Sequence, residues 1–532
     1  MNKQFLTTLM LCLLVIAGYN QFVVIPRARA EQQAAQAQLK QLEEQAAQSN
    51  GKLTGETAAF VSKETTAAPK PEELFTLNMP QADVTFSSNG GGIRTYLFKD
   101  DLGNVDLTPY EGPGYFSTLQ GLDFTEYART QNSITLTADI IPGLTVRKTY
   151  TFHDNGLNHL TLSFHNKTAR ELTLADWTWN FGPGLATVKS EMKDNERESK
   201  AVYLVQESDK RKPTLETFEA KSKQPTLPWL WAGIENRYFL AVLVPQGWTP
   251  GPLSTKRVEI GTQEKFFGLS EGEIKGPELQ IAMAGQTVAP GAQLSYESDF
   301  FFGPKDYQLF MQLPYHFERS IEFGFFGALG KLARNVLEWF YSWTGNYGVA
   351  IILMTVLIQL ILLRFTVIQL KSAAQMKKIQ PEMKRIQEKY KGDPQALNRE
   401  TLNLYRKYNV NPLSGCLPLL IQLPIFLALF NALRTSWALH GAKFVGWITD
   451  LSSKDPYYIL PILMGAVMFF QQRSSMPAGT DPAQAAMFKY MPLIFTLLFM
   501  NFPSGLVLYW LTNSLLTFAI QTVINRRLSK AN

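Results

Sequence analysis

The chain is 532 residues long, with 51 Lys and Arg against 45 Asp and Glu, a net charge of +6 and two cysteines. Its 45% apolar and 18% charged residues exclude a disordered or collagen-like chain, and two cysteines exclude a disulfide framework. So small a positive excess is less than direct nucleic-acid binding usually needs. These averages hide a split: residues 1–320 read mostly as a polar, β-rich domain, and the remainder as long apolar runs broken by one basic segment.

Phe5 to Ile25 is apolar and spans about 31 Å as a helix, enough to cross a bilayer. A cleaved signal peptide also fits, with Lys3 ahead of the run and Ala28-Arg29-Ala30 as a small-x-small site. The run is longer than the usual h-region of about 7–15 residues, and Arg27 and Arg29 crowd the cleavage point. Residues 1–30 are therefore read as an uncleaved anchor, with Cys12, behind the bulky Leu11, an apolar filler. Residues 31–71, rich in Ala, Gln, Glu and Thr, form a flexible linker ending at Pro69 and Pro71.

From 72 to 312 short alternating runs and turn signals predict a large β-sandwich. Val146–Phe152, Asp154-Asn155-Gly156 and His159–Phe164 read as a hairpin with Asn-Gly supplying positive φ angles. His153, His159 and His165 invite a metal, but His159 and His165 would stand about 20 Å apart on an extended strand. Trp177 and Trp179 share a strand face, where core packing is favoured over sugar stacking. No nucleophile–base–orienter pattern is visible, and no enzyme activity or cofactor is expected.

Beyond the sandwich, 313–345 predicts an amphipathic interfacial helix, with the periodic stretch beginning at Ser320; a core helix of the β domain is the alternative. Residues 346–370 form span 2. Residues 371–411 form a basic helical hairpin, with ten Lys or Arg and four acids between Lys371 and Tyr408. Met376, Ile379, Met383, Ile386 and Tyr390 make its first seam, Gly392-Asp393-Pro394 its turn, and Leu397, Leu404 and Tyr408 its second line. Pro381 interrupts the seam and is placed at the start of a new helix. Residues 412–532 hold spans 3 to 6 and a short basic tail. Met487 to Ile524, too long for one span, divides at Asn501-Phe502-Pro503-Ser504-Gly505. The basic hairpin and the tail belong in the cytoplasm by the positive-inside rule. Six spans then put both termini inside and the β domain outside, in the periplasm.

Arg364 lies about 25 Å from the outer end of its run, where a charge either faces water or a partner, or snorkels to the interface. No acid lies in the spans to pair with it. A proton-coupled transporter would normally place one there. Two spans are short enough to thin the bilayer locally. A membrane-tethered carbohydrate-binding protein, with its function in the β domain, is a further alternative.

Several stretches together resemble the YidC family of membrane protein insertases, in its Gram-negative form. They are Leu363-Arg364-Phe365-Thr366 through Gln380-Pro381-Glu382-Met383, Asn411-Pro412-Leu413-Ser414-Gly415-Cys416-Leu417-Pro418, Asp455-Pro456-Tyr457-Tyr458-Ile459-Leu460-Pro461 and Phe502-Pro503-Ser504-Gly505-Leu506. The resemblance implies a polytopic α-helical membrane protein: a five-helix insertase core with a hydrophilic groove open to cytoplasm and lipid, plus a periplasmic β-supersandwich. It maps the family's basic residue in the first core helix onto Arg364, and an aromatic pair onto Tyr509-Trp510. The substrate slide maps onto Leu419, Ile425, Phe426, Phe430, Leu493, Phe495 and Leu497. Helix position adds Gln359, Gln422, Gln471 and Asn513 as groove residues. Implied partners are nascent inner-membrane proteins, the lipid bilayer, the Sec translocase with its accessory subunits, and the ribosome and signal-recognition-particle receptor at the hairpin. Where some relatives carry a long basic ribosome-binding tail, Asn525 to Asn532 holds three basic residues, so tail-mediated ribosome binding is not expected.

Overall fold

The computed structural model describes residues 59–60 and 71–530, except 193, 207–211, 220–221, 223, 226–228, 266–269, 409–416 and 476–481. The expected anchor at 1–30, nearly all of the linker and the Asn411–Cys416 stretch lie outside these residues.

The β domain is built on a nine-stranded antiparallel sheet. Its order is Thr214–Thr217, Lys200–Val205, Trp229–Glu235, Phe239–Gln246, Gln293–Pro304, Leu157–Asn166, Leu144–Thr151, Ser133–Ile141 and Thr125–Arg129. Strands with a period of two bury both faces here. Phe239, Ala241 and Leu243 face the main core, with Phe86 and Tyr96 of a four-stranded sheet and Trp177 and Trp179 of a three-stranded one. Leu240, Val242 and Val244 face the other way, under the segment that carries Tyr307, Phe310, Phe317 and Phe323. Both tryptophans are core residues, as the packing reading expects.

The predicted hairpin forms between Leu144–Thr151 and Leu157–Asn166. Only Gly156 of the Asn-Gly pair takes a positive φ, of 74°. The connection is five residues long and does not need the two-residue turn that would put both in that region. Lys148 is fully buried and donates to the carbonyls of Gly90 and Phe116 and to Thr118 Oγ1. Burial holds its ammonium well below the usual lysine range. Lys305 and Glu235 form a buried pair at 2.7 Å.

Seven longer helices follow among the described residues: α1 Gly327–Thr344, α2 Tyr347–Lys389, α3 Pro394–Lys407, α4 Leu417–Arg434, α5 Ile459–Ser475, α6 Pro482–Phe499 and α7 Ser504–Lys530. The amphipathic helix starts at Gly327, later than the periodicity predicts. Phe317–Ser320 is a separate short turn, and Gly324, at φ 68°, breaks the chain between them. Gly345 ends α1 in the left-handed region, and Asn346 caps α2 by accepting from Val349 N. This Gly-Asn step folds α1 back onto α2.

Pro381 does not open a new helix, because α2 runs unbroken through it. A proline removes one backbone hydrogen bond. Here the helix is held on both sides of it by Ile379, Met383 and Ile386 packed against Leu404 and Tyr405. Asp393 caps α3 through Gln395 N and Ala396 N. Tyr408, placed on the second apolar line, is exposed and donates its hydroxyl to Glu382.

Tyr347–Ile368 and Ser504–Arg527 are long and apolar enough to cross a membrane. Gln422–Arg434, Ile459–Arg473 and Tyr490–Phe499 are apolar but shorter. α7 packs along α2 and α5, and α5 along α6. Gly465 sits where α5 meets α6, and a methyl group there would lie 1.9 Å from Thr496 Oγ1.

Candidate functional site

One face of α7 carries Tyr509, Asn513 and Thr517, spaced four apart and so stacked in a row. Gln359 of α2 meets this row, its Nε2 donating to Asn513 Oδ1 at 2.6 Å and Thr517 Oγ1 at 3.0 Å. Gln422 of α4 meets it one turn earlier, its Nε2 donating to Tyr509 OH at 3.0 Å. Three helices thus share a seam of amides and hydroxyls. Asp and Glu are absent from the α2 span and from the helices α4, α5, α6 and α7 themselves. Thr517 escaped the sequence reading, although its four-residue spacing from Asn513 was the signal that could have found it.

Trp510 is one residue on from Tyr509 and about 100° round the helix. It belongs to an apolar wall, with its ring 4.9 Å from Phe426, 5.9 Å from Phe495 and 5.2 Å from Phe499. Phe430 joins this wall through Phe502 at 5.8 Å. Ile425 is half-buried beside it. Leu493 and Leu497 point outward, each 56% exposed. Leu419 falls on α4, with its side chain outside the described residues. Gln471 is half-buried on α5 and takes no part in the hydrogen bonds of the seam given above.

Arg364 does not join the seam. Five residues separate it from Gln359, which is about 140° round the helix and 7.5 Å along it. Its side chain is exposed and has no ion pair or hydrogen bond among the described residues.

The end of the bundle nearest the β domain is tied down. Asp450 accepts from Gly441 N, Ser452 N and the hydroxyls of Ser452 and Ser453. Asp455 accepts from Trp447 Nε1, Tyr457 N and Leu460 N. The loop so formed holds the turn before α7, with Ser504 N donating to the Ser453 carbonyl and Gly505 N to that of Leu451. Arg434 reaches Glu198 at 2.6 Å, and His440 lies 3.1 Å from Asp100. Trp437 packs against Phe98, Tyr238 and Phe239.

Metal chemistry finds no support in the histidines: among the described residues there is no group of three or more His, Cys, Asp or Glu that could hold an ion. His159 instead bridges Asp299 at 3.0 Å and Glu297 at 2.6 Å, and His165 bonds Ser163.

Two family profiles match the two parts of the chain, a 60Kd inner membrane protein over residues 339–531 and a YidC periplasmic domain over 76–333. The membrane protein insertase YidC of Geobacter metallireducens is 32% identical over 564 residues, covering 100% of this chain and 99% of its own. The chain belongs to the YidC family of membrane protein insertases. The YidC of Endomicrobium trichonymphae is 35% identical over 466 residues, covering 86% of each chain. A crystal structure of an active YidC insertase with its first transmembrane domain resolved is 20% identical, with a TM-score of 0.38, covering 85% of this chain and 92% of that one. The seam and the apolar wall both lie in the 339–531 stretch, and the nine-stranded sheet lies in the YidC periplasmic domain.

Proposed function

We propose that this chain is an inner-membrane insertase and chaperone that places integral membrane proteins into the bilayer through a groove lined by α2, α4 and α7, alone or with the Sec translocase. The observation that carries this is the juxtaposition of an uncharged polar seam with an aromatic wall on the same helices. A segment that must cross the membrane carries polar groups, which are costly at that depth unless hydrogen-bonded. Gln359, Asn513, Thr517, Gln422 and Tyr509 supply such partners. The apolar part of the same substrate slides along Phe426, Phe430, Phe495 and Trp510 into lipid. Transfer of apolar surface, with the membrane potential acting on acidic residues, drives release, and no cofactor takes part.

In this reading six spans, counting residues 1–30, leave both termini in the cytoplasm and the β domain in the periplasm. The basic hairpin of α2 and α3 meets ribosome, signal-recognition-particle receptor or nascent chain. The apolar part of α5, about 22 Å long, thins the bilayer beside the groove.

The test is reconstitution of the full chain into liposomes, followed by addition of a small phage-coat-type membrane protein and protease. Protection should rise with this protein and fall by about tenfold or more in Gln359→Leu/Asn513→Leu. Equal protection by the folded double variant would remove the seam from the mechanism. No protection by correctly oriented wild-type protein would remove autonomous insertion.

A further inference from the structure

Where the β domain meets the C-terminal end of α4, a pocket opens between separate parts of the chain. It is bordered by Glu198 and Lys200, by Arg237, by Glu322 on the segment leading to α1, and by Asn431 and Arg434 of α4. Its charges stand as mixed pairs. Lys200 Nζ lies 2.9 Å from Glu322, with 30% and 60% of the two side chains exposed. Arg434 lies 2.6 Å from Glu198, and both are partly exposed. Arg237 is buried beside them and pairs with Glu191, and its Nε has no partner among the described residues. The buried pair of Lys305 and Glu235 completes the lining. Phe325 comes three residues after Glu322, within about 11 Å of chain. It is 94% exposed, with its ring 5.0 Å from that of Phe326. Leu329 and Leu332 of α1 are exposed as well. A pocket of mixed charge thus adjoins an uncovered apolar strip.

Resting on the topology proposed above, which puts this junction at the outer membrane surface, we infer that the pocket binds the headgroup of a zwitterionic phospholipid. The headgroup is of the phosphoethanolamine class, and its acyl chains lie toward Phe325 and α1. The charge pattern selects both signs at once. A ligand with a phosphate alone reaches Lys200 only by parting it from Glu322, and leaves that carboxylate beside a second anion. A ligand with a phosphate and an ammonium two carbons apart inserts into the pair. Its phosphate takes Lys200 and its ammonium takes Glu322, so every charge keeps a partner. A quaternary ammonium fills the same space but offers Glu322 no hydrogen, so a primary amine is preferred. A lipid seated there ties the β domain and α4 to one depth in the bilayer.

Short-chain phospholipids that differ only in the headgroup test this, by calorimetric titration of the purified full chain in detergent. Dihexanoyl phosphatidylethanolamine should bind at least about threefold more tightly than the phosphatidylglycerol or phosphatidylcholine of the same chains. Lys200→Gln should weaken its binding. Glu322→Gln, at an exposed position, should bring phosphatidylglycerol level with phosphatidylethanolamine or ahead of it, because the phosphate then meets no competing carboxylate. Binding of none of the three lipids, or of all three equally, overturns the inference. So does a preference that neither Lys200→Gln nor Glu322→Gln alters. Free phosphoethanolamine should bind more weakly than the lipid, and equal binding would remove the acyl contact and with it the lipid as ligand. The titration does not depend on insertion. A failed liposome assay therefore strikes the insertase reading, and a failed titration strikes this one.

Discussion

In the β domain Lys305 and Glu235 meet at 2.7 Å with 4% of each side chain exposed, whereas the polar side chains buried in the apolar helices α2 and α4 to α7 are, among the described residues, amides and hydroxyls, with Arg364 left outside. Lys148 repeats the first pattern, an ammonium held by two carbonyls and a hydroxyl. Gln359 with Asn513, and Gln422 with Tyr509, repeat the second. A domain that folds in water can surround a charge with a rigid lattice of strands before excluding solvent. Helices that meet in lipid have fewer backbone acceptors to offer, since each satisfies its own ladder. The difference teaches that a polar path through the bundle is made of groups that need partners but carry no charge.

Removing one partner of the buried pair in the β domain should have the largest effect. Glu235→Leu should destabilise that domain by about 3–5 kcal/mol, because Lys305 is left buried and unpaired. Denaturant unfolding of the purified full chain, followed by tryptophan fluorescence, measures this. Glu235→Leu/Lys305→Met should recover most of the loss, and a double variant no better than the single one would break the pairing argument.

In the bundle the corresponding change should be smaller. Asn513→Leu removes the acceptor for one Gln359 hydrogen and should cost about 1–3 kcal/mol, read as a lower temperature of detergent-solubilised unfolding. If the cost matched that of Glu235→Leu, neutral seams and buried ion pairs would not be the separate strategies drawn above.

The contact that joins the two regions should matter less again. Arg434 and Glu198 are both partly exposed, and Arg434→Ala should cost no more than about 1 kcal/mol. Trp437→Ala takes away a ring packed against three aromatics and should loosen the junction more. Limited proteolysis between the β domain and α5 would rank the two variants.

The smallest effect concerns pH. Burial alone would lower the His159 pKa, but hydrogen bonds and charge from Asp299 and Glu297 outweigh it and raise it. A group raised on folding contributes stability that is fully present below its unfolded pKa, near 6.5, and is lost as pH rises through the folded value. The β domain should therefore be slightly more stable in mildly acidic than in mildly alkaline buffer, and His159→Gln should flatten that slope.

Local signals carried much of this architecture. Gly392-Asp393-Pro394 marked the turn of the hairpin, and the division between 345 and 346 falls where Gly345 ends α1 and Asn346 caps α2. The strand around Trp177 and Trp179 was legible as core from its apolar content. Other features depended on neighbours that sequence does not display. Pro381 stays helical because α3 packs alongside it. The start of α1 moves to Gly327 because Phe317 and Phe323 are drawn into the back face of the nine-stranded sheet. The angle between Gln359 and Arg364 could be counted from their spacing, but which of the two faced α7 was decided by helix packing. That Trp510 packs among rings from α4 and α6, while Tyr509 beside it meets Gln422, depends on neighbours distant in the chain.

One property of α2 has a mechanical consequence. Its 43 residues make a rod of about 65 Å, with the basic hairpin at one end and Gln359 near the other. No break in the helix lies between them, since α2 runs on through Pro381. A load applied at the hairpin therefore arrives at the groove as tilt or twist of a single lever. Whatever grips Lys389 has, through that lever, a handle on Gln359.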